Sequence, residues 1–249
     1  MKKILKGVII AAVWLIIWQI LAEALNSQIL FPSPLATLKA LTQLAIEAEF
    51  YKSIAFSVLR ISCGFLGGTL AGTVLALVTF KFKILRSFFA PMLSVIKSTP
   101  VASFIVLLFY WLTDGAVASF TAALIVLPVI HGSLFAALCG VDEKLLQMAR
   151  VFDVKPLGIF KGIYIPSVMP QFKASLATAM GLCWKAGIAA EVICRPDFSL
   201  GGGIYDAKIY FNSPDLFAWT AVVVAVSVIL EKTLIRLIKH NMEVPKNEA

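Results

Sequence analysis

Successive apolar runs, each long enough to cross a bilayer as one helix, constrain this chain more than any other feature. A helix needs about 20 predominantly apolar residues to cross the hydrocarbon core. Runs of that order fall at about 4–25, 53–80, 85–112, 117–138, 172–193 and 216–238. Their apolarity is continuous rather than confined to one face, so they suit lipid rather than a water-facing surface. The spacing predicts an all-α membrane protein with six transmembrane helices, forming a single domain over 1–249. Composition agrees. Sixty per cent of the 249 residues are apolar and 14% are charged, whereas a soluble domain keeps about a quarter of its residues charged.

The runs are not all alike. The first follows Met1-Lys2-Lys3 and so mimics a signal peptide. It is longer than a signal core and no small-residue cleavage site follows it, so it reads as a retained span. Leu35, Leu38, Leu41, Leu44 and Ala45, interleaved with Lys39, Gln43 and Glu47, predict a short amphipathic helix in the membrane interface. The third run is interrupted, with Pro91 and Pro100 bracketing Lys97-Ser98-Thr99. Asp142 to Pro166 is the longest polar stretch, and Arg195–Pro214 reads as a second polar loop carrying Gly201-Gly202-Gly203.

A net charge of +8 in a soluble protein would raise nucleic acid as a partner. Here no soluble basic domain remains once the spans are removed, so no nucleic acid partner is expected. The basic residues instead set orientation, because lysine and arginine collect in cytoplasmic loops. Six spans put both termini on one face. That face carries Lys2, Lys3, Lys6, Lys81, Lys83, Arg86, Lys144, Arg150, Lys155, Lys161, Lys173, Lys232, Arg236, Lys239 and Lys246; the other carries Lys39, Lys52, Arg195 and Lys208. A bias of about fifteen to four makes both termini and the 142–166 loop cytoplasmic. The expectation is a multi-pass protein of the cell (inner or plasma) membrane, with lipid as its surround.

Little in the sequence suggests bond-making chemistry. Cys63, Cys139, Cys183 and Cys194 form no CxxC pair, and His131 and His240 are isolated. No metal or cofactor is expected, and no catalytic residues are assigned. Gly64, Gly68 and Gly72 stand four apart, so they clear one helix face for close approach of another backbone. Within the spans the ionisable residues are Glu23, Arg60, Lys97, Lys185 and Glu191. Such groups face protein or a water-filled path. Glu23 and Arg60, near span ends, read as snorkelling or paired side chains. Lys97, Lys185 and Glu191 are candidates for the translocation path; alternatively, one of the lysines pairs with Glu191 of a neighbouring helix or subunit.

In the 142–166 segment Asp142 can cap a helix carrying Lys144, Leu145, Leu146, Ala149 and Val151. Pro156 can open a second short helix with Leu157, Ile159, Phe160 and Ile163 on its apolar side, ended by Pro166 and Pro170. The stretch resembles the EAA loop of binding-protein-dependent ABC importer permeases: Glu-Ala-Ala, three residues, Gly, nine residues, Ile-x-Leu-Pro. The matching positions are Gln147, Met148, Ala149, Asp153, Ile163, Ile165 and Pro166. The spacing is intact. Gln stands for Glu, Met for Ala, Asp for Gly and Ile for Leu, and Asp tolerates the left-handed backbone that Gly would supply less readily. Leu30-Phe31-Pro32-Ser33-Pro34, Ser57-Val58-Leu59-Arg60 with Gly64-Phe65, Trp184 with Ala190-Glu191, and Leu200-Gly201 to Ile209-Tyr210 are similar to the nitrate/sulfonate/taurine branch of that family.

The resemblance implies a type I (MetI-like) permease fold. It also implies a second permease subunit, making a homodimer, with two cytoplasmic ATPase subunits docked on the loop. An extracytoplasmic binding protein would deliver a nitrate, sulfonate or taurine-type anion, or a vitamin precursor. The chain has no GxxxxGK[ST] phosphate loop, so it is not expected to hydrolyse ATP itself. An ion-coupled secondary transporter would show inverted repeats and midplane ion sites. A membrane enzyme would show a constellation such as HExxH. The sequence shows neither.

Overall fold

The computed structural model describes residues 2–25 and 29–240, with side chains over 5–25 and 29–238. Lys246 and the side chains of Lys2, Lys3 and Lys239 lie outside the described residues. The elements are α1 (Lys2–Leu25), α2 (Pro34–Leu44), α3 (Ala48–Lys81), α4 (Lys83–Ser98), α5 (Val101–Trp111), α6 (Asp114–Cys139), α7 (Glu143–Val151), α8 (Pro156–Ile159), α9 (Ile165–Cys194), α10 (Leu200–Ile209) and α11 (Ser213–His240). There is no strand among the described residues. A π-helical turn, Phe160–Tyr164, joins α8 to α9.

Four helical stretches are long and apolar enough to cross a membrane, Leu5–Leu25, Ala48–Lys81, Asp114–Cys139 and Pro156–Cys194, and the pair α4 and α5, bent by 106°, can make a fifth. The last expected run, 216–238, lies in α11, a helix of 28 residues.

The centre of the bundle is α3, α6 and α9. The three glycines of α3 face the backbone of α6 at matching intervals: Gly64 meets Ser119, Gly68 meets Ala123 and Gly72 meets Leu127. A methyl group at Gly68 would sit 2.6 Å from the Ala123 carbonyl oxygen, and one at Gly72 2.7 Å from that of Leu127. No side chain larger than hydrogen fits there without separating the helices. The numbers rise together along both helices, so α3 and α6 run parallel, and α4 with α5 carries the chain back between them. α9 runs the other way: Gly187, late in α9, packs on Ile61, early in α3, while Tyr164 at its start meets Phe80 at the end of α3. α11 runs with α3, because Phe50 and Trp219 pair near their starts at 5.3 Å between ring centroids. Ile61, Phe65, Val126, Ile130, Cys183 and Trp184 form the heart of the main core, and the Trp184 indole donates to the Val223 carbonyl at 3.2 Å.

Four local features differ from the expectation. α4 runs through Pro91 unbroken; the carbonyl that Pro91 leaves free belongs to Ser87, which is exposed. The break falls at Thr99, held extended at ψ 131° because the residue before a proline avoids the helical region. Pro166 and Pro170 do not end a helix. They lie in the first turns of α9, and the π-helical turn lets Ile165 donate to Phe160 instead. Arg195–Pro214 is not an open loop, because α10 fills half of it: Ser199 caps its start, Gly201 lies against the Glu191–Val192 backbone and Gly203 against the Trp219 ring. Finally, α2 presents Thr37, Ala40, Leu41 and Leu44 to the bundle and leaves Leu35 and Leu38 exposed, so its predicted apolar face is divided.

Candidate functional site

Three places could carry function. The first is the 142–164 segment. The Asp142 carboxylate accepts from the Lys144 amide at 2.8 Å and starts α7, only three residues after α6 ends. Ala149 is the one buried residue of α7, at 3% exposure, and its carbonyl accepts from the Val154 amide at 2.9 Å. That bond turns the chain through Asp153, whose φ is 51°, the left-handed region that glycine tolerates most readily. Pro156 then opens α8. Ile163 packs with Leu146, Leu134 and Val168, while Ile165 and Pro166 stay exposed at the start of α9. Gln147 and Met148 are exposed. The tip carries Val151 and Phe152, 80% and 74% exposed, outside any apolar cluster. An apolar tip on a polar helical turn makes this segment a candidate docking feature.

The second place is a buried polar node at the opposite end of α3. Glu191 is fully buried. Its Oε2 accepts from the Ser57 hydroxyl at 2.7 Å and from the Gly201 amide at 3.2 Å. The Ser57 oxygen in turn accepts from the Leu200 amide at 2.9 Å. Glu191 and Ser57 thus satisfy the first free amides of α10, which a helix start must place somewhere. Arg60 lies 3.5 Å from Glu191 Oε1, too far for a good hydrogen bond. It donates instead to the carbonyls of Asp197 and Phe198 at 2.7 and 3.0 Å. Oε2 of Glu191 is therefore committed to holding α10, while Oε1 faces Arg60 without a hydrogen bond. Sequence reasoning named Ser57, Arg60, Glu191 and Leu200-Gly201 separately and missed their convergence. Opposite charges in two spans were the available signal.

The third place concerns the two lysines. Neither lies within ion-pair distance of Glu191: the ion pairs among the described residues are Arg60–Glu191 and Arg195–Asp206. The exposed face of α9 carries Gln171, Thr178, Lys185 and Ile193 in register, so Lys185 points away from the core. Lys97, in the last turn of α4, reaches α6 at Gly132, where a methyl group would lie 3.6 Å from its Nζ. The structure does not bring Lys97, Lys185 and Glu191 together.

The bundle has the architecture of a type I ABC importer permease. The fold is similar to an amino acid ABC transporter with histidines (TM-score 0.62, 15% identity, 80% of this chain and 95% of the other). It is likewise similar to the inward-facing MetNI methionine ABC transporter (TM-score 0.58, 15% identity, 76% and 93%). Residues 68–243 match the family of binding-protein-dependent transport system inner membrane components, and the chain belongs to that family. Its curated relatives include a permease protein of Bacillus subtilis (strain 168) named for aliphatic sulfonates transport, 23% identical over 240 residues, 96% of this chain and 86% of the relative. Another is the taurine transport system permease protein TauC of Escherichia coli (strain K12), 22% identical over 233 residues, 90% and 82%. The protein is a multi-pass permease subunit of an ABC importer, and the ion-coupled reading finds no support among these relatives.

Proposed function

We propose that this permease works with a second copy of itself, two separate ATPase subunits docked on the 142–166 segment, and a binding protein on the opposite face. Its six spans are α1, α3, the α4–α5 pair, α6, α9 and α11, with both termini cytoplasmic. The solute is a small anion of the sulfonate, nitrate or taurine kind, as the relatives' names suggest; a vitamin precursor is the other member of the class. ATP-driven closure of the ATPase pair shifts the permease between inward- and outward-open states, and solute biases that equilibrium only through differential affinity for the two. Lys97 and Lys185 border the path in this reading.

The observation that carries the docking site is the exposed Val151–Phe152 tip on the Asp153 turn. Ala149 is buried beneath it, so a change there would unfold the turn rather than test the contact. Phe152→Glu places a charge on the tip without touching the core. Expected is at least a tenfold loss of ATPase co-purification, about 1.4 kcal/mol of interface free energy, with the permease inserted in normal amount. Unchanged co-purification and unchanged stimulated hydrolysis would reject the assignment.

A further inference from the structure

A cleft of about 350 Å³ opens between α4 and the α3–α6 pair, lined among others by Arg86, Ser94, Lys97, His131, Gly132 and Phe135. That size is at the lower end of the roughly 300–1,000 Å³ typical of small-ligand sites. Its chemistry is one-sided. The Arg86 guanidinium lies over the Phe135 ring, 4.7 Å from the centroid, and Lys97 reaches Gly132, one turn earlier on α6. Two cations eleven residues apart on α4 are thus drawn to a single turn of α6. No carboxylate lines the cleft, and neither cation has an ion-pair partner among the described residues. Both side chains carry donors and no acceptor.

The remaining lining fits the same ligand. The Thr79 hydroxyl lies 2.8 Å from the Leu75 carbonyl and 3.0 Å from His131 Nε2, with which it shares a hydrogen bond. The ring is fixed further by stacking on Phe135. Ser94 adds a hydroxyl. Gly132 keeps the wall low at the point Lys97 reaches. The turn Gly132–Phe135 stands four to seven residues before the end of α6 at Cys139, within the inner half of that helix. Uncompensated cations at membrane depth are costly unless water or an anion attends them. An arginine fork with a lysine point charge suits a planar or tetrahedral oxyanion.

We propose that this cleft is an oxyanion station on the inner half of the translocation path, where Lys97 and Arg86 hold the negatively charged group of the solute before its release. The inference rests on the importer reading above and specifies its substrate class: solutes bearing a sulfonate, nitrate-like or carboxylate group. A lipid phosphate offers the same oxygens, and retention of phosphatidylglycerol is the arm of the test that separates it from the solute.

The test uses the complex with its ATPase in phosphatidylcholine nanodiscs, titrated with sodium ethanesulfonate and with sodium nitrate against chloride at constant ionic strength. The expected result is a saturable rise in melting temperature with at least one of the two anions. Lys97→Gln and Arg86→Gln should each raise the half-saturating concentration about tenfold or more, the loss expected of one charge-assisted contact. Lys97→Arg keeps the charge and should retain the response, as should Lys39→Gln, which lies outside the cleft. The inference is overturned by absence of a saturable response, or by a response in both glutamine variants that matches wild type. It is also overturned if the anions have no effect while wild type, but not Lys97→Gln, retains phosphatidylglycerol through delipidation; the cleft would then be a lipid site. A wild-type complex that hydrolyses ATP without an anion response counts against this inference alone, whereas one that never assembles counts against the importer reading.

Discussion

Glu191 shows how a single residue changes meaning once its neighbours are known. In the sequence it is a carboxylate inside a span, and such groups mark a path or a pair. In the fold it replaces the water that the start of α10 would otherwise need, receiving Gly201 directly and Leu200 by way of Ser57. The partners are 134 residues apart in the case of Ser57, so no local pattern could join them. Glu191→Ala removes the acceptor and strands a buried amide and hydroxyl, at about 1–3 kcal/mol for each unsatisfied group. Expected is a clear drop in the melting temperature of the detergent-solubilised permease. Glu191→Gln keeps one acceptor oxygen and should lose distinctly less. Equal losses in the two variants would mean that charge, not capping, is what the site needs. Asp153 is the opposite case: the departure from glycine was visible in the sequence, and so was the backbone it must adopt, because the spacing of the surrounding loop fixes where the turn falls.

At the scale of elements, the close approach of α3 to α6 rests on three hydrogen atoms. Gly68→Leu would place its Cβ 2.6 Å from a carbonyl oxygen that is itself held in a helix. Overpacking typically costs about 1–3 kcal/mol, occasionally more, when the surroundings can shift, and backbone gives less readily than side chains. Expected is a permease that inserts but melts lower and assembles poorly, while Gly67→Leu, with nothing within 4 Å of its added methyl, behaves as wild type. Indistinguishable stabilities of the two variants would argue against this packing. The stripe could be read from spacing alone, and α6 carries a fainter one of its own in Gly115, Ser119 and Ala123, also four apart; that the two stripes meet shows only in the fold. Helix α10 escaped the sequence for a related reason. Three successive glycines disfavour a helix by about 1 kcal/mol each, yet two of them are what admit α10 against Glu191 and Trp219. Local propensity pointed to a loop and tertiary packing overrode it.

For the whole molecule, the alternating helix directions and the distribution of lysine and arginine bear on the same question of sidedness. Lys155, between α7 and α8, and Tyr210, 79% exposed at the end of α10, sit on opposite faces in the proposed topology. Cysteine placed at each, in a background lacking the exposed native Cys63 and Cys139, should react differently with a membrane-impermeant reagent on intact cells: Tyr210→Cys labels and Lys155→Cys does not. The reverse pattern would invert the orientation, and equal labelling would mean that α9, the helix between the two positions, does not cross the membrane. The overall class was legible because lipid imposes length and continuous apolarity on every segment that crosses it. What was not legible, the 106° bend and the π-helical entry to α9, depends on how neighbours absorb prolines. The backbone contact between α3 and α6 has a mechanical side as well. α6 is 26 residues long, about 39 Å at the helical rise, and α7 hangs from its C-terminal end. A rod clamped to a second rod at three points resists flexing. If the ATPase docks as proposed, a stroke delivered at the Val151–Phe152 tip would have little compliance to be lost in before the far end, where Ser119 donates to the Arg60 carbonyl at 2.8 Å.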